Sequence, residues 1–184
     1  MLTNETDDAQ LFTLMKDPAL RDKAFLQLMD TYKKQIYWHI RRLVVSHEDA
    51  EDILQETFIN VYRFGNSFKG ESKIYTWLYR IATNECFKHF KKNKTWIENA
   101  GRITDEVAGE LSGSDAENSE VILIKFQQAI LRLPEKQRIV FNMRYYDELS
   151  YEDIGQILNS SVSASKTNYH LASEKVKQYL IDHA

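Results

Sequence analysis

The chain has 184 residues with six glycines, two prolines and one cysteine, so it can form one ordinary domain or two small ones, and no disulfide framework. Its 43% hydrophobic content excludes a disordered protein. A net charge of −3, from 24 Lys and Arg against 27 Asp and Glu, excludes a nucleic-acid coat that is basic over its whole surface.

Scarce Gly and Pro and few alternating β-branched runs predict an all-α fold. The first ten residues are polar and are expected to fray. Residues 20–45 carry Phe25, Leu28, Met29, Tyr32, Ile36, Ile40 and Leu43 at helical spacing. Ser46 with Asp49 reads as a capping box that opens a helix from Glu48 to about Phe64. Gly65-Asn66 breaks the pattern, and a further helix is expected over residues 72–93. Residues 95–120 lose periodicity and gain Gly101, Gly109 and Gly113, which predicts a linker between two helical lobes. The second lobe runs from about Val121 to Ile181, with Pro134 in the first turn of a helix, where its missing N–H costs little.

Charge is distributed unevenly. From Lys69 to Lys94 there are seven basic residues against two acidic ones, a net of +5, interleaved with aromatics. Cations compensate phosphates, and aromatic faces stack on bases that have left a duplex, so the block suits single-strand DNA. The competing reading makes Trp77, Tyr79, Ile81 and Phe87 the buried face of an amphipathic helix. Residues 95–120 hold seven acids against Arg102 alone, a net of −6.

The helix from Glu48 places five acids, Glu48, Asp49, Glu51, Asp52 and Glu56, within nine residues. Acids at a helix N-terminus are favoured by the dipole. Five exceed that need, and Asp52, Gln55 and Glu56 beside apolar groups suit docking on a basic protein partner. Further on, Ser150 with Asp153 caps a short helix, and Asn159-Ser160-Ser161 makes a turn into a longer one. Short helix, tight polar turn and longer polar-faced helix form a helix-turn-helix pattern, with a plain αα-hairpin as the alternative. It offers Ser163, Ser165, Lys166, Asn168, Tyr169 and His170 to DNA.

Three stretches in order, DAEDILQETFINVYR, SFKGESKIYTWLYRIATN and LPEKQRIVFNMRYYDELSYEDIGQIL, resemble the signatures of the extracytoplasmic-function (ECF) branch of the sigma-70 family. The likeness covers residues 20–94 and 121–181. It implies a two-domain transcription initiation factor for bacterial RNA polymerase: a sigma-2-like helical bundle over 10–94, a flexible acidic linker over 95–120 and a sigma-4-like helix-turn-helix domain over 121–184. The partners it implies are core RNA polymerase, through the β′ clamp and the β subunit, promoter DNA and an anti-sigma factor of the kind that commonly restrains family members. It implies no membrane insertion.

Carried over residue by residue, the resemblance assigns polymerase docking to Asp49, Asp52, Gln55 and Glu56. The loop that captures a flipped base of the −10 element matches Phe68, Lys69, Gly70, Glu71 and Ser72. The −10 reading helix contributes Trp77, Arg80, Asn84 and Lys88, and the helix-turn-helix residues above read the −35 element. Two departures stand out. The family's recognition helix is often arginine-rich, whereas here KTNYHLASEK offers Lys166 and Lys175 with Glu174 opposing them. Cys86-Phe87 also stands where polar residues are more usual.

No catalytic pattern competes, since there is no Gly-rich phosphate loop, nucleophile–base pair or metal-ligand cluster; no enzyme activity, cofactor or metal is expected. No N-terminal stretch resembles a signal peptide and no run approaches a membrane span, so a cytoplasmic location is expected. The alternative function is a helix-turn-helix transcriptional regulator that binds duplex DNA without joining polymerase. It leaves the acidic helix and the basic-aromatic block without a purpose. An all-α interaction protein is a third reading.

Overall fold

A computed structural model describes residues 5–44, 46–65, 68, 70, 72–92 and 118–183. Among them the regular elements are eight helices: α1 (Glu5–Lys16), α2 (Arg21–Val44), α3 (His47–Phe64), α4 (Ile74–Lys92), α5 (Asn118–Leu131), α6 (Glu135–Tyr145), α7 (Tyr151–Leu158) and α8 (Val162–Asp182). The all-α expectation agrees with this. The chain forms two compact units, one of Met1–His89 with Gln156–Asn159 and one of Phe90–Gly155 with Ser160–Ala184. The linker expected over 95–120 lies outside the described residues, apart from 118–120, which already belong to α5.

In the first unit α2 buries Ala24, Leu28, Tyr32, Ile36, Ile40 and Leu43, a stripe at intervals of three and four that faces α3 and α1. α3 starts where Ser46 caps it: its hydroxyl accepts the Asp49 N–H at 3.2 Å. It answers α2 with Ala50, Ile53, Leu54, Thr57, Phe58 and Val61. The expected fraying of the first ten residues is not what the chain does from Glu5 onward. α1 is polar at its start, but Leu11 and Met15, one turn apart, are buried against the bundle and hold it. Tertiary burial overrides a weak local pattern here.

α4 turns Ile74, Tyr75, Leu78, Tyr79, Ala82 and Cys86 inward. Its fixation to α2 is partly polar. His39, fully buried, lies with Nε2 3.0 Å from Thr83 Oγ1 and its ring centroid 4.6 Å from that of Tyr79.

The second unit packs α5 and α6 against α8. Ala129, Ile130, Leu133, Phe141, Ala172 and Val176 form its centre, flanked by Phe126, Tyr146, Tyr169, Tyr179 and Leu180. Pro134 takes the N-cap position of α6, one residue ahead of the first helical turn. The turn between α7 and α8 is built as its sequence suggests. Asn159 adopts φ 50°, a left-handed conformation that asparagine tolerates well. The Ser161 hydroxyl then accepts the Ala164 N–H at 3.1 Å to cap α8. At the start of α7 the Ser150 hydroxyl accepts the Asp153 N–H at 3.0 Å and donates to its carboxylate.

A candidate protein-docking groove and nucleic-acid interface

An open groove of about 610 Å³ lies along α2 and α3. Phe25, Met29, Phe58 and Ile59 supply apolar walls, and Lys33, Glu51, Asp52 and Gln55 line its polar part. Tyr62, which also lines the groove, is held by a clasp: the Arg21 guanidinium stacks 4.3 Å over its ring and donates to its carbonyl. The Tyr62 hydroxyl donates to Asp22 Oδ1 at 2.8 Å, and that bond to a carboxylate holds the phenol above its ordinary pKa.

Of the four docking residues the resemblance assigned, Asp52 and Gln55 line the groove and Glu56 is exposed beside them on α3. Asp49 is half-buried, and its Oδ2 lies 3.5 Å from His89 Nε2 of α4. The structure therefore groups three of the four and turns Asp49 toward the neighbouring helix. Phe25, Met29 and Lys33 carry no functional signal in the sequence. Their spacing of four along α2 puts them on one face, but nothing in the sequence told which helix that face would meet.

α4 presents Arg80, Asn84, Lys88, Lys91 and Lys92 to solvent. Steps of four, four, three and one put all five along one face, opposite the buried stripe. This face carries four cations, so it can follow a phosphate backbone. Its aromatics are divided otherwise. Tyr75 and Tyr79 belong to the core, Phe87 is half-buried, and Trp77 is half-buried with its ring centroid 5.2 Å from that of Phe68.

In the preceding loop, Phe68 is 8% exposed and anchors the segment on Trp77. A base cannot stack on a ring so covered while this packing lasts. Gly70 is exposed at φ 75°, in the left-handed region, and Ser72 is half-buried. Lys69 and Glu71 lie outside the described residues.

On α8, Ser163, Lys166 and His170 are exposed, at helical spacings of three and four. The other three named residues have partners within the unit. Ser165 is buried and its hydroxyl donates to the Ser161 carbonyl at 3.3 Å. Asn168 is half-buried and its amide donates to the Ala164 carbonyl at 2.9 Å. Tyr169 is half-buried, stacked on Phe141 with centroids 5.7 Å apart. Lys166 Nζ lies 5.8 Å from the centroid of Tyr151, whose ring also receives the Arg144 guanidinium at 5.1 Å. Arg144 and Tyr151 thus extend the basic surface of α8 with residues from α6 and α7. The sequence hid them because they are distant in the chain from the recognition helix.

Among the described residues no group of three His, Cys, Asp or Glu side chains is placed to hold a metal, and no helix is long and apolar enough to cross a membrane.

Comparison with known proteins places two family patterns on these units. Sigma-70 region 2 matches residues 28–95, and sigma-70 region 4 matches residues 123–176. The chain is 38% identical over 168 residues to the ECF RNA polymerase sigma factor SigW of Bacillus subtilis, covering 86% of this chain and 90% of that protein. It is 31% identical over 172 residues to the ECF RNA polymerase sigma-E factor of Escherichia coli K12, covering 84% and 85%. Among solved structures it resembles CnrH, determined in complex with the cytosolic domain of CnrY, with a TM-score of 0.72 at 17% identity over 96% of this chain and 99% of that one. It also resembles the sigma factor RpoE of Bartonella quintana, determined with the anti-sigma factor NepR, with a TM-score of 0.66 at 22% identity over 86% and 97%. At such identities these two likenesses speak for the fold alone.

Proposed function

The chain belongs to the ECF branch of the sigma-70 family, and from that premise we propose how its two helical units share the work of a sigma factor. As a sigma factor it binds core RNA polymerase and directs promoter recognition and DNA opening at initiation. In our reading residues 10–94 dock on polymerase and engage the −10 element, residues 95–120 tether, and residues 121–184 engage the −35 element.

The docking surface is the α2–α3 groove. Its apolar walls give a partner helix something to bury, and Asp52, Gln55 and Glu56 select a basic partner such as a polymerase coiled coil. The −10 surface is the exposed face of α4, with Arg80, Lys91 and Lys92 compensating phosphates and Asn84 offering a donor and an acceptor to a base edge. Phe68 and Trp77 fix the loop that carries Gly70 and Ser72 beside that face. The −35 surface is Ser163, Lys166 and His170, with Arg144 and Tyr151 at its edge and Asn168 reaching DNA by giving up its bond to Ala164. The chemistry of RNA synthesis stays with the polymerase, and the site of action is the cytoplasm. A dedicated anti-sigma protein, as is common in the family, belongs to the same reading.

The observation that carries this reading is the α4 stripe, whose cations and Asn84 face solvent while its aromatics hold the helix in place. The experiment is reconstitution of the purified chain with core polymerase on a library of promoter sequences. Promoter-specific transcripts that vanish without the chain are expected. Failure to copurify with core polymerase, together with unaided binding to duplex DNA, would replace this reading with that of a free-standing regulator.

A further inference from the structure

The cations on the exposed face of α4 are not equivalent. Lys88 Nζ lies 2.7 Å from Glu85 Oε1, and the same oxygen accepts the Asn60 amide of α3 at 2.9 Å. The Glu85 side chain is 11% exposed and that of Lys88 69%. The carboxylate is therefore the fixed member, pinned from α3 at the edge of the helix packing, and the ammonium is the movable one.

An exposed pair three residues apart adds little to helix stability, so stability gives a weak reason for the arrangement. Its larger consequence concerns DNA. A lysine that neutralises a phosphate displaces a counterion, and each such contact steepens the fall of affinity with salt. Glu85 and Lys88 taken together bring no net charge to this face, whereas Lys91 and Lys92 each bring one.

We propose that Glu85, pinned by Asn60, is a positioning residue that holds Lys88 along α4 and withholds its charge from the −10 strand, which sets the strength and salt dependence of binding there. The inference rests on the assignment of this α4 face to DNA. It makes Glu85 a brake on phosphate-driven affinity, leaving a larger share of recognition to base contacts at Asn84.

The test uses holoenzyme assembled with wild-type chain or with Glu85→Gln, Lys88→Met, or both, and promoter DNA with a pre-opened −10 region, at 50–200 mM KCl. Glu85→Gln keeps an acceptor for Asn60 and nearly the same shape, and Glu85→Met repeats the test with an uncharged side chain of similar size. Glu85→Gln should bind more tightly at low salt. Its log–log salt slope should be steeper by roughly 0.7–0.9, which makes the affinity lost over that range about threefold larger. In the Lys88→Met background the same substitution should give no gain.

An unchanged slope in both Glu85 variants overturns the proposal. So does a gain that persists without Lys88, because Glu85 would then repel phosphates directly. The control for the assignment itself is Lys91→Ala with Lys92→Ala. If that variant also leaves affinity and slope unchanged, the α4 face does not meet DNA. If it weakens binding while Glu85→Gln does nothing, the assignment stands and the proposal alone fails.

Discussion

His39 of α2 and Thr83 of α4 share a buried hydrogen bond of 3.0 Å across the first unit. Thr83 precedes Asn84, so this bond ties the buried side of α4 to α2 at the level where Asn84 faces outward. Thr83→Val keeps the shape but removes this buried hydrogen bond, which costs about 1 kcal/mol. His39→Ala also opens a cavity and should cost about 2–4 kcal/mol. Urea unfolding of the purified chain measures both, and a Thr83→Val protein as stable as wild type would show that the bond contributes nothing.

Polymerase docking is tested by charge reversal at the groove. Asp52→Lys with Glu56→Lys should weaken core-polymerase binding by a few kcal/mol, as like-charge contacts do. Both side chains are exposed, so the unfolding midpoint should change little. Titration of labelled core polymerase reads the affinity. Undiminished binding by the double variant would remove α3 from the interface.

The loop before α4 is tested at Gly70. A Cβ there would meet nothing within 4 Å, so the cost of Gly70→Ala comes from the backbone, held at φ 75°. An L-residue in that region costs about 1–2 kcal/mol, which the loop can relieve by changing shape. Promoter opening, followed by permanganate reactivity of unpaired thymines, should fall while core-polymerase binding holds. Normal opening would mean that the loop's shape is not part of strand capture.

Much of this was legible from periodicity and capping. The stripe of α2, the Ser46 and Ser150 caps and the Ser161 turn follow from local residue choice, and the structure has them where the sequence put them. What escaped was set by tertiary contacts. The polar start of α1 read as frayed because the value of Leu11 and Met15 depends on what they pack against. The basic-aromatic block supported both a stacking surface and a core face, and among the described residues the structure divides it: Lys73, Arg80, Lys88, Lys91 and Lys92 out, Tyr75 and Tyr79 in, and Phe68 used as an anchor. Likewise Ser165, Asn168 and Tyr169 each have a partner inside their own unit that the order of residues does not disclose.

The helix-turn-helix crossing is tested at Gly155. A Cβ there would stand 2.8 Å from the Ser160 carbonyl oxygen, a backbone atom of the turn. Gly155→Ala must displace that turn or the helix, at a cost of about 1–3 kcal/mol. The unfolding midpoint should drop, and holoenzyme should lose discrimination among −35 variants while still binding core polymerase. Full stability in the variant would mean that the turn yields freely and does not set the angle of α8.

The recognition helix makes separable predictions for Lys166 and Asn168. Lys166 is exposed and near the Tyr151 ring, so it can leave that face for a phosphate at little cost. Lys166→Ala should weaken holoenzyme binding uniformly across −35 variants and reduce the salt slope by about 1. Asn168 must first release the Ala164 carbonyl, and that exchange is worthwhile only where a base edge offers a matching donor and acceptor. Asn168→Ala should therefore act selectively, costing about 1–3 kcal/mol on the preferred −35 sequence and little on others. Binding of both variants to a panel of −35 sequences, each at several salt concentrations, separates the two roles. If Asn168→Ala leaves both the ranking and the strength of the panel unchanged, its amide stays with Ala164 in the complex, and readout rests on Ser163, Lys166 and His170.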